Sequence, residues 1–292
     1  MHSLTHTKTF LVTLAVLFIY LLNITTTLAN DIVISIRDDV YHDYQRFLNG
    51  RNVLDINDFS GKTIRRDVVD MIIAQQALTL GGFNHTFKYH PGKLNFRNTK
   101  MIQQGTLLIS FDSYWLADAN ALAEHVYISA PVIRHGEYVA GIYTSPNNKA
   151  VLAINSLDDL KQFTAISTPK WRTDWRTLES LPIKQLISED EWLSQARLTH
   201  IQWVDFMLMA FHSTPDKSFT LDKIHLVPVK GVGVVLNDSR HFVISKKHPL
   251  GQQAFIAINK GLTLLRKKQL ITKAYTQAGF FIDKNNIKII NK

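Results

Sequence analysis

The apolar residues of the chain occur in two recurring patterns, short unbroken runs and longer stretches with one apolar face. The short runs predict strands at 31–36, 83–89, 106–110, 163–167, 198–202 and 239–245. Apolar spacings of about three and four residues predict helices at 67–80, 96–104, 156–161, 171–181, 191–196, 204–212 and 269–278, with a longer one after Pro249. Because strands and helices alternate, and the alternation restarts after 146–148, the pattern predicts an α/β chain of two similar-sized lobes, each a mixed, mostly parallel sheet flanked by helices.

The N-terminal segment has the order of charged, apolar and small residues that is typical of a secretory signal. Lys8 precedes the apolar run at 10–22, and Ala29 ends a short polar stretch. We therefore expect a signal peptide over 1–29, cleaved after Ala29, and a periplasmic mature protein. An uncleaved membrane anchor is the alternative, because the apolar run approaches the length needed to span a bilayer when it is extended through Ile24 and Leu28.

Composition and charge exclude several classes of function. The 292 residues contain no cysteine, which excludes disulfides, thiolate metal sites and cysteine nucleophiles. The net charge is +9, but the lysines and arginines are scattered without a basic, aromatic stripe, so no nucleic-acid partner is expected. The 12 histidines show no metal-ligand spacing, and no nucleotide-binding motif occurs. We expect no metal, no cofactor and a monomer.

Polar and aromatic residues follow several predicted strands, where ligands gather in α/β folds. Arg37 and Asp38 follow the first strand, and they can equally pair with each other. Asp112, Tyr114 and Trp115 follow the third strand. Aromatic rings at that place suit an apolar or cationic ligand, and packing into the core of the lobe is the structural alternative.

The second lobe offers a similar set of candidates. Trp171, Arg172 and Trp175 open a predicted helix after a strand, where backbone N–H groups and an arginine attract anions. The two tryptophans can instead stack on one helix face as part of the core. Trp203 and Asp205 follow another predicted strand, and Asp205 is either a ligand contact or a helix cap.

Five segments look like landmarks of one protein family and occur in its order: 61–70, 101–109, 126–132, 156–161 and 240–249. The first looks like the family's glycine and first long helix, and the second like the helix that ends in glycine before the cleft. The third looks like the entry to the inter-lobe crossing, the fourth like the small helix that opens the second lobe, and the fifth like the return crossing. On these segments the chain resembles the type 2 periplasmic solute-binding proteins of family 3, a group that includes the polar amino-acid receptors of bacterial ABC importers.

The resemblance implies a type II periplasmic-binding-protein fold, with lobe 1 formed by 30–140 and 238–292 and lobe 2 by 141–237. It also implies that hinge closure captures a small polar ligand for an inner-membrane ABC permease, without covalent chemistry, so that the protein is not an enzyme. Two alternatives stay open. One is a periplasmic ligand sensor that docks on a membrane receptor, and the other is an exported hydrolase that uses acids such as Asp112 and Glu124.

The chain departs from this group where the receptors hold the carboxylate of their ligand. They carry an arginine ahead of the segment at 126–132, and the corresponding stretch 119–124 contains none. The remaining candidates are Asp112 or Glu124 for an ammonium and Arg134, Arg172 or Arg240 for a carboxylate. Arg240 adjoins the second crossing, so it can also pin the lobes together or pair with a surface acid. The resemblance therefore does not specify an ordinary α-amino acid as the ligand.

Overall fold

A computed structural model describes residues 31–61, 63–92, 95–212, 214–282 and 286–292. The predicted signal peptide and its cleavage site lie outside these residues. Within them, no helix combines the length and the apolar character that crossing a membrane requires.

Strands and helices alternate along most of the chain. The strands are β1 (Ile32–Arg37), β2 (Phe87–Gly92), β3 (Tyr114–Trp115), β4 (Val126–Ile133), β5 (Val139–Thr144), β6 (Thr164–Ser167), β7 (Gln185–Ser188), β8 (Phe206–Met209), β9 (Phe219–Leu221), β10 (Ile224–Pro228), β11 (Val232–Val235), β12 (Arg240–Ser245) and β13 (Lys288–Ile289). The helices are α1 (Asp38–Leu48), α2 (Arg66–Leu80), α3 (Asn95–Gln104), α4 (Leu116–Asn120), α5 (Lys149–Leu152), α6 (Arg172–Glu179), α7 (Trp192–His200), α8 (Gly251–Lys267) and α9 (Leu270–Gln277), with 3₁₀ turns at Val53–Asp55 and Asp158–Gln162.

The first group of elements surrounds α2. β1 and β2 pair in parallel, and β12 pairs antiparallel with both β3 and β4. α2 is buried on nearly every face, which matches its mostly apolar sequence and makes it the centre of the largest core cluster. A second long helix, α8, packs directly on it.

Two glycines allow α2 and α8 to approach each other at backbone distance. A Cβ atom on Gly261 of α8 would lie 1.8 Å from the carbonyl oxygen of Ala77, and one on Gly81 would lie 1.9 Å from that of Ala257. Only the absence of a side chain at both positions makes this contact possible.

The second group of elements is built on a mixed sheet, ordered β13-β11-β5-β8-β6-β7 in the described part of the chain, with β10 beside β5. β6 is parallel to both β7 and β8, whereas β5 is antiparallel to β8 and β11. Every residue of β5 is buried, as expected for a strand covered on both faces. Two core clusters accompany this sheet, one containing Ile142 and Phe206 and the other containing Tyr143 and Met207.

Two predicted elements near residue 200 are wrong. The segment predicted as a strand at 198–202 begins inside α7, where Gln195 and Thr199 share a buried face and the Thr199 hydroxyl donates to the Gln195 carbonyl. The segment predicted as a helix at 204–212 contains β8, which lies between β5 and β6. A short apolar run fits a buried strand as well as a buried helix, and the neighbouring strands decide between them.

Two further differences lie in the first group. The predicted strand at 106–110 is wrong, since only one bridge, from Ile109 to Ile244, pairs it with a neighbour in the described residues. The pattern also does not predict α1, because most of its residues are polar and it buries only one stripe: Val40, Tyr44, Phe47 and Leu48.

Candidate functional site

Two adjoining cavities lie between the two groups of elements. The smaller has a volume of about 480 Å³ and is named the polar cavity for its wall of ion pairs. The larger has a volume of about 700 Å³ and is named the apolar cavity for its floor alone, because Asp43, Arg46 and Arg65 also line it. Arg66, Asp67, Trp171 and Asp174 line both, so the cavities meet at these residues. Volumes in this range suit small organic ligands.

Arg66, the first residue of α2, is the centre of the polar wall. Its guanidinium contacts the carboxylates of Asp67, Asp70 at 2.5 Å and Asp112 at 2.9 Å. Burial alone would lower the pKa of Arg66, but these carboxylates hold it well above its usual value. Asp67 also accepts a hydrogen bond from Arg37 at 2.5 Å. The wall is therefore an ion cluster that largely neutralises itself.

Asp70 ties this cluster to the loop that carries Asp112. The carboxylate of Asp70 is fully buried, and it accepts hydrogen bonds from the Ser113 amide at 3.0 Å and the Ser113 hydroxyl at 2.6 Å. The Tyr275 hydroxyl donates to it as well. Because a buried charge without such partners is costly, these donors fix the loop against α2.

Arg240 and Trp115 pack against each other at the base of the polar cavity. The Arg240 guanidinium lies 4.6 Å from the centroid of the Trp115 ring, and its Nε donates to the Ser113 hydroxyl at 2.9 Å. Its Nη2 donates to the Ser113 carbonyl and lies 3.9 Å from Asp112. The face of Trp115 is thus already occupied by a protein cation.

The start of α6 forms the opposite wall. Trp171 precedes this helix and is 36% exposed, and Asp174 lies in its first turn. Burial raises the pKa of Asp174 to about 6, although nearby Arg240 acts to lower it. No described residue forms a salt bridge with Asp174.

The apolar cavity lies on the other side of Arg66 and Asp174. Its floor is formed by the end of β8 and the residues after it: Leu208, Met209, Ala210 and Phe211. Tyr138 and Phe280 add a stacked aromatic pair with ring centroids 4.2 Å apart. His212 also lines this cavity, and burial lowers its pKa, which favours the neutral imidazole.

The structure brings part of the predicted site together and leaves part of it elsewhere. The polar cavity is lined by Arg37, Asp112, Tyr114, Trp115, Trp171 and Arg240. The other predicted residues lie outside both cavities: Asp38, Arg172, Trp175, Trp203 and Asp205. The binding roles of all of them stay predictions.

Local contacts account for several of the outlying residues. Asp38 opens α1, and Trp203 is 68% exposed. The Trp175 indole donates to Glu179 at 2.7 Å. The predicted Arg37–Asp38 pair does not occur in the described contacts, since Arg37 contacts Asp39 and Asp67 instead.

Asp205 makes hydrogen bonds within the sheet of the second group. No helix begins at this residue, so the helix-cap alternative is wrong. Its carboxylate accepts hydrogen bonds from the Thr164 amide and hydroxyl, both at 2.8 Å, at the start of β6. Asp205 therefore links β6 to the start of β8.

Arg66, Asp67 and Asp174 are among the lining residues that sequence reasoning does not predict. Arg66 and Asp67 open an otherwise apolar helix, and charges at the start of a buried helix are a usable signal for a polar site. Asp174 lies three residues after Trp171 on α6, so it shares a helix face with a residue that was predicted. Within the described residues, histidine and acidic side chains form no group that could hold a metal ion.

No protein-family model matches the chain, and no curated protein matches it. Solved structures do. An amino-acid ABC transporter substrate-binding protein from Streptococcus pneumoniae, bound to L-arginine, is 14% identical, with a TM-score of 0.54 over 87% of this chain and 95% of that chain. An ancestral cationic amino-acid solute-binding protein is 16% identical, with a TM-score of 0.50 over 86% and 96% of the two chains. The periplasmic VFT2 domain of BvgS from Bordetella pertussis is 13% identical, with a TM-score of 0.53 over 71% and 83%.

These likenesses define the fold. The chain has the two-lobed α/β fold of the type 2 periplasmic binding proteins, and the predicted fold class is confirmed. The predicted resemblance to that group is confirmed for the fold.

Proposed function

We propose that this protein is an exported solute-binding protein that captures a small polar ligand between its two lobes and delivers it to an ABC-type importer. The observation that carries the proposal is the pair of adjoining cavities, which have walls from both groups of elements. Arg66 and Arg240 belong to the first group, and Trp171 and Asp174 belong to the second. A ligand held between them would contact both lobes at once.

The proposed lobes divide near residues 140 and 238, as the sequence predicts. The strands that would carry the chain across are β5 and β11, which pair side by side with Val234 opposite Ala140. β13 pairs with β11, so we assign residues 286–292 to the second lobe, whereas the sequence analysis places them in lobe 1. Two paired crossing strands make a suitable hinge, because a bend there moves both lobes together.

Contacts between α4 and α6 support closure as the binding step. Arg172 lies 3.5 Å from Asp118, and the Thr173 hydroxyl donates to Asp238 at 3.0 Å. On the proposed division these contacts join the two lobes beside the cavities. Closure around a ligand would exclude water and strengthen the polar contacts inside.

The geometry favours binding over hydrolysis. Asp112 is held by Arg66, and Glu124 is exposed and lines neither described cavity. These two acids therefore do not form a pair across one site, as an acid–base mechanism would require.

The proposal is tested by thermal unfolding of the purified protein with amines, amino acids, organic acids and sugars. A ligand present at a hundred times its Kd should stabilise the protein by about 2.7 kcal/mol. Small-angle scattering should then show compaction with the same ligand. Absence of both effects across the panel would contradict the proposal.

A second experiment addresses delivery. The protein would be cross-linked in the cell with and without the ligand found in the first experiment, and its partners would be identified. Recovery of an ABC permease supports import. Recovery of a membrane receptor in its place would favour the sensor alternative.

A further inference from the structure

The cations around the two cavities are already paired. Each described arginine or lysine that lines them lies within 3.9 Å of a carboxylate: Arg37, Arg46, Arg65, Arg66, Lys170 and Arg240. The two most deeply placed, Arg66 and Arg240, also donate to the Ser113 hydroxyl. A ligand carboxylate would therefore have to compete with a carboxylate of the protein. The weakest of these contacts is that of Arg240, because Asp112 lies 3.9 Å from it and is also held by Arg66 at 2.9 Å.

The anions differ from the cations in one respect. Asp43, Asp67, Asp112 and Asp118 each contact an arginine. Asp174 contacts no basic side chain among the described residues, although it lines both cavities. It is therefore the formal charge in the described lining that a ligand can pair with at no loss of an existing salt bridge.

A second acceptor without a partner lies in the wall of the polar cavity. Asn98 is 7% exposed, and its Oδ1 is buried without a hydrogen-bond partner, whereas its Nδ2 donates to the Ser35 carbonyl at 3.0 Å. The bond to Ser35 fixes which end of the amide is free. The unpartnered buried donor nearby, Arg37 Nε, belongs to a guanidinium that Asp67 already holds. A ligand that donates a hydrogen bond would satisfy the Asn98 oxygen once a small side-chain movement exposed it.

The apolar cavity has room for an apolar body attached to such a donor. It begins at Asp174 and Trp171 and continues over the Leu208–Phe211 floor and the Tyr138–Phe280 pair. A cation at Asp174 would lie beside the Trp171 ring, and aromatic faces attract cations.

We infer that the ligand is an organic amine without a carboxylate, with its ammonium paired to Asp174 and its apolar body in the larger cavity. The inference rests on the proposed function and names its substrate class. It follows from the salt bridges that each described arginine and lysine of the lining already makes, and from the one carboxylate of that lining that makes none. The carboxylate of the corresponding amino acid would have to compete for a cation that already contacts a carboxylate of the protein.

Pairs of compounds that differ only in the carboxylate test the inference. Tryptamine and tryptophan, phenethylamine and phenylalanine, and cadaverine and lysine would each be titrated into the purified protein by calorimetry. We expect at least one amine to bind at least tenfold more tightly than its amino acid. Asp174→Asn should weaken amine binding at least tenfold, and the exposed-site control Asp158→Asn should leave it unchanged.

Some outcomes would contradict only the inference that the ligand is an amine, and another would also contradict the proposed function. An amino acid that binds as tightly as its amine, amine binding that survives Asp174→Asn, or a panel in which only sugars or organic acids bind would overturn the inference and leave solute binding intact. No binding by any compound, with no compaction, would overturn both. Circular dichroism of Asp174→Asn and of a second variant, Asp174→Ala, checks that loss of binding is not loss of folding.

Discussion

Asp174, the proposed ligand contact, is expected to lower the stability of the ligand-free protein. Its carboxylate is partly buried beside the cavities and lacks a salt-bridge partner among the described residues, so the folded protein carries part of the cost of desolvating it. Arg66, by contrast, is surrounded by acids that compensate its burial. The lining of the cavities thus contains one cluster whose charges compensate one another and one carboxylate without a salt bridge, which is the group that we propose pairs with a ligand.

The pKa of Asp174 predicts a pH-dependent gain in stability when its charge is removed. Its folded pKa of about 6 exceeds the ordinary value of 3.8, so the folded state binds the proton more tightly and stability falls as pH rises between these values. Arg240 opposes this shift and Asp118 adds to it, while Arg66, Asp67 and Tyr138 also line the space around the carboxylate.

We therefore expect Asp174→Asn to raise the free energy of unfolding of the ligand-free protein by about 1–3 kcal/mol at pH 7.5, from a shift near two units at about 1.4 kcal/mol each. The gain should shrink towards pH 4.5. Urea unfolding at both pH values measures it, with Asp158→Asn as the control. A loss of stability at pH 7.5 would mean that the carboxylate has a stabilising partner.

At the scale of elements, the contact between α2 and α8 depends on two glycines. Gly261→Ala would place a Cβ 1.8 Å from a backbone oxygen, which no rotamer change can relieve. We expect a loss of at least about 2 kcal/mol, at or beyond the usual cost of overpacking a core. Gly92→Ala is the matched control, because nothing lies within 4 Å of its added Cβ and its φ is not positive. Equal unfolding midpoints for the two variants would show that the helices can separate without cost.

Element type was predictable where a segment carried its own signal. The apolar spacing predicts both α2 and α6, and the glycines after Leu80 predict where α2 ends. β8 was missed because its identity comes from β5 and β6 on either side. The site follows the same rule. Trp171 and Asp112 could be predicted because each closely follows a predicted strand. Asp174 could not, because the feature that distinguishes it, the lack of a salt-bridge partner, depends on the folded structure.

At the scale of the whole molecule, Asp238 joins elements of both proposed lobes. Its carboxylate accepts hydrogen bonds from the Ala117 amide at 3.3 Å and from the Thr173 hydroxyl at 3.0 Å. These bonds should favour the closed arrangement, and bonds to a charged group are worth about 1.5–3 kcal/mol each.

We expect Asp238→Ala to weaken ligand binding about tenfold or more and to enlarge the ligand-free protein in small-angle scattering. The substitution lies outside both described cavities, so a direct ligand contact would not explain the effect. Asp158→Ala serves as the control on an exposed acid. Unchanged scattering and affinity would show that closure does not depend on this junction.

The pairing of β13 with β11 offers a practical way to watch the molecule move. β1 and β13 belong to different sheets, near opposite ends of the described chain, and the sequence contains no cysteine. One engineered thiol on each strand would therefore accept a pair of dyes without background labelling. Energy transfer between the dyes would report the separation of the two halves, one molecule at a time.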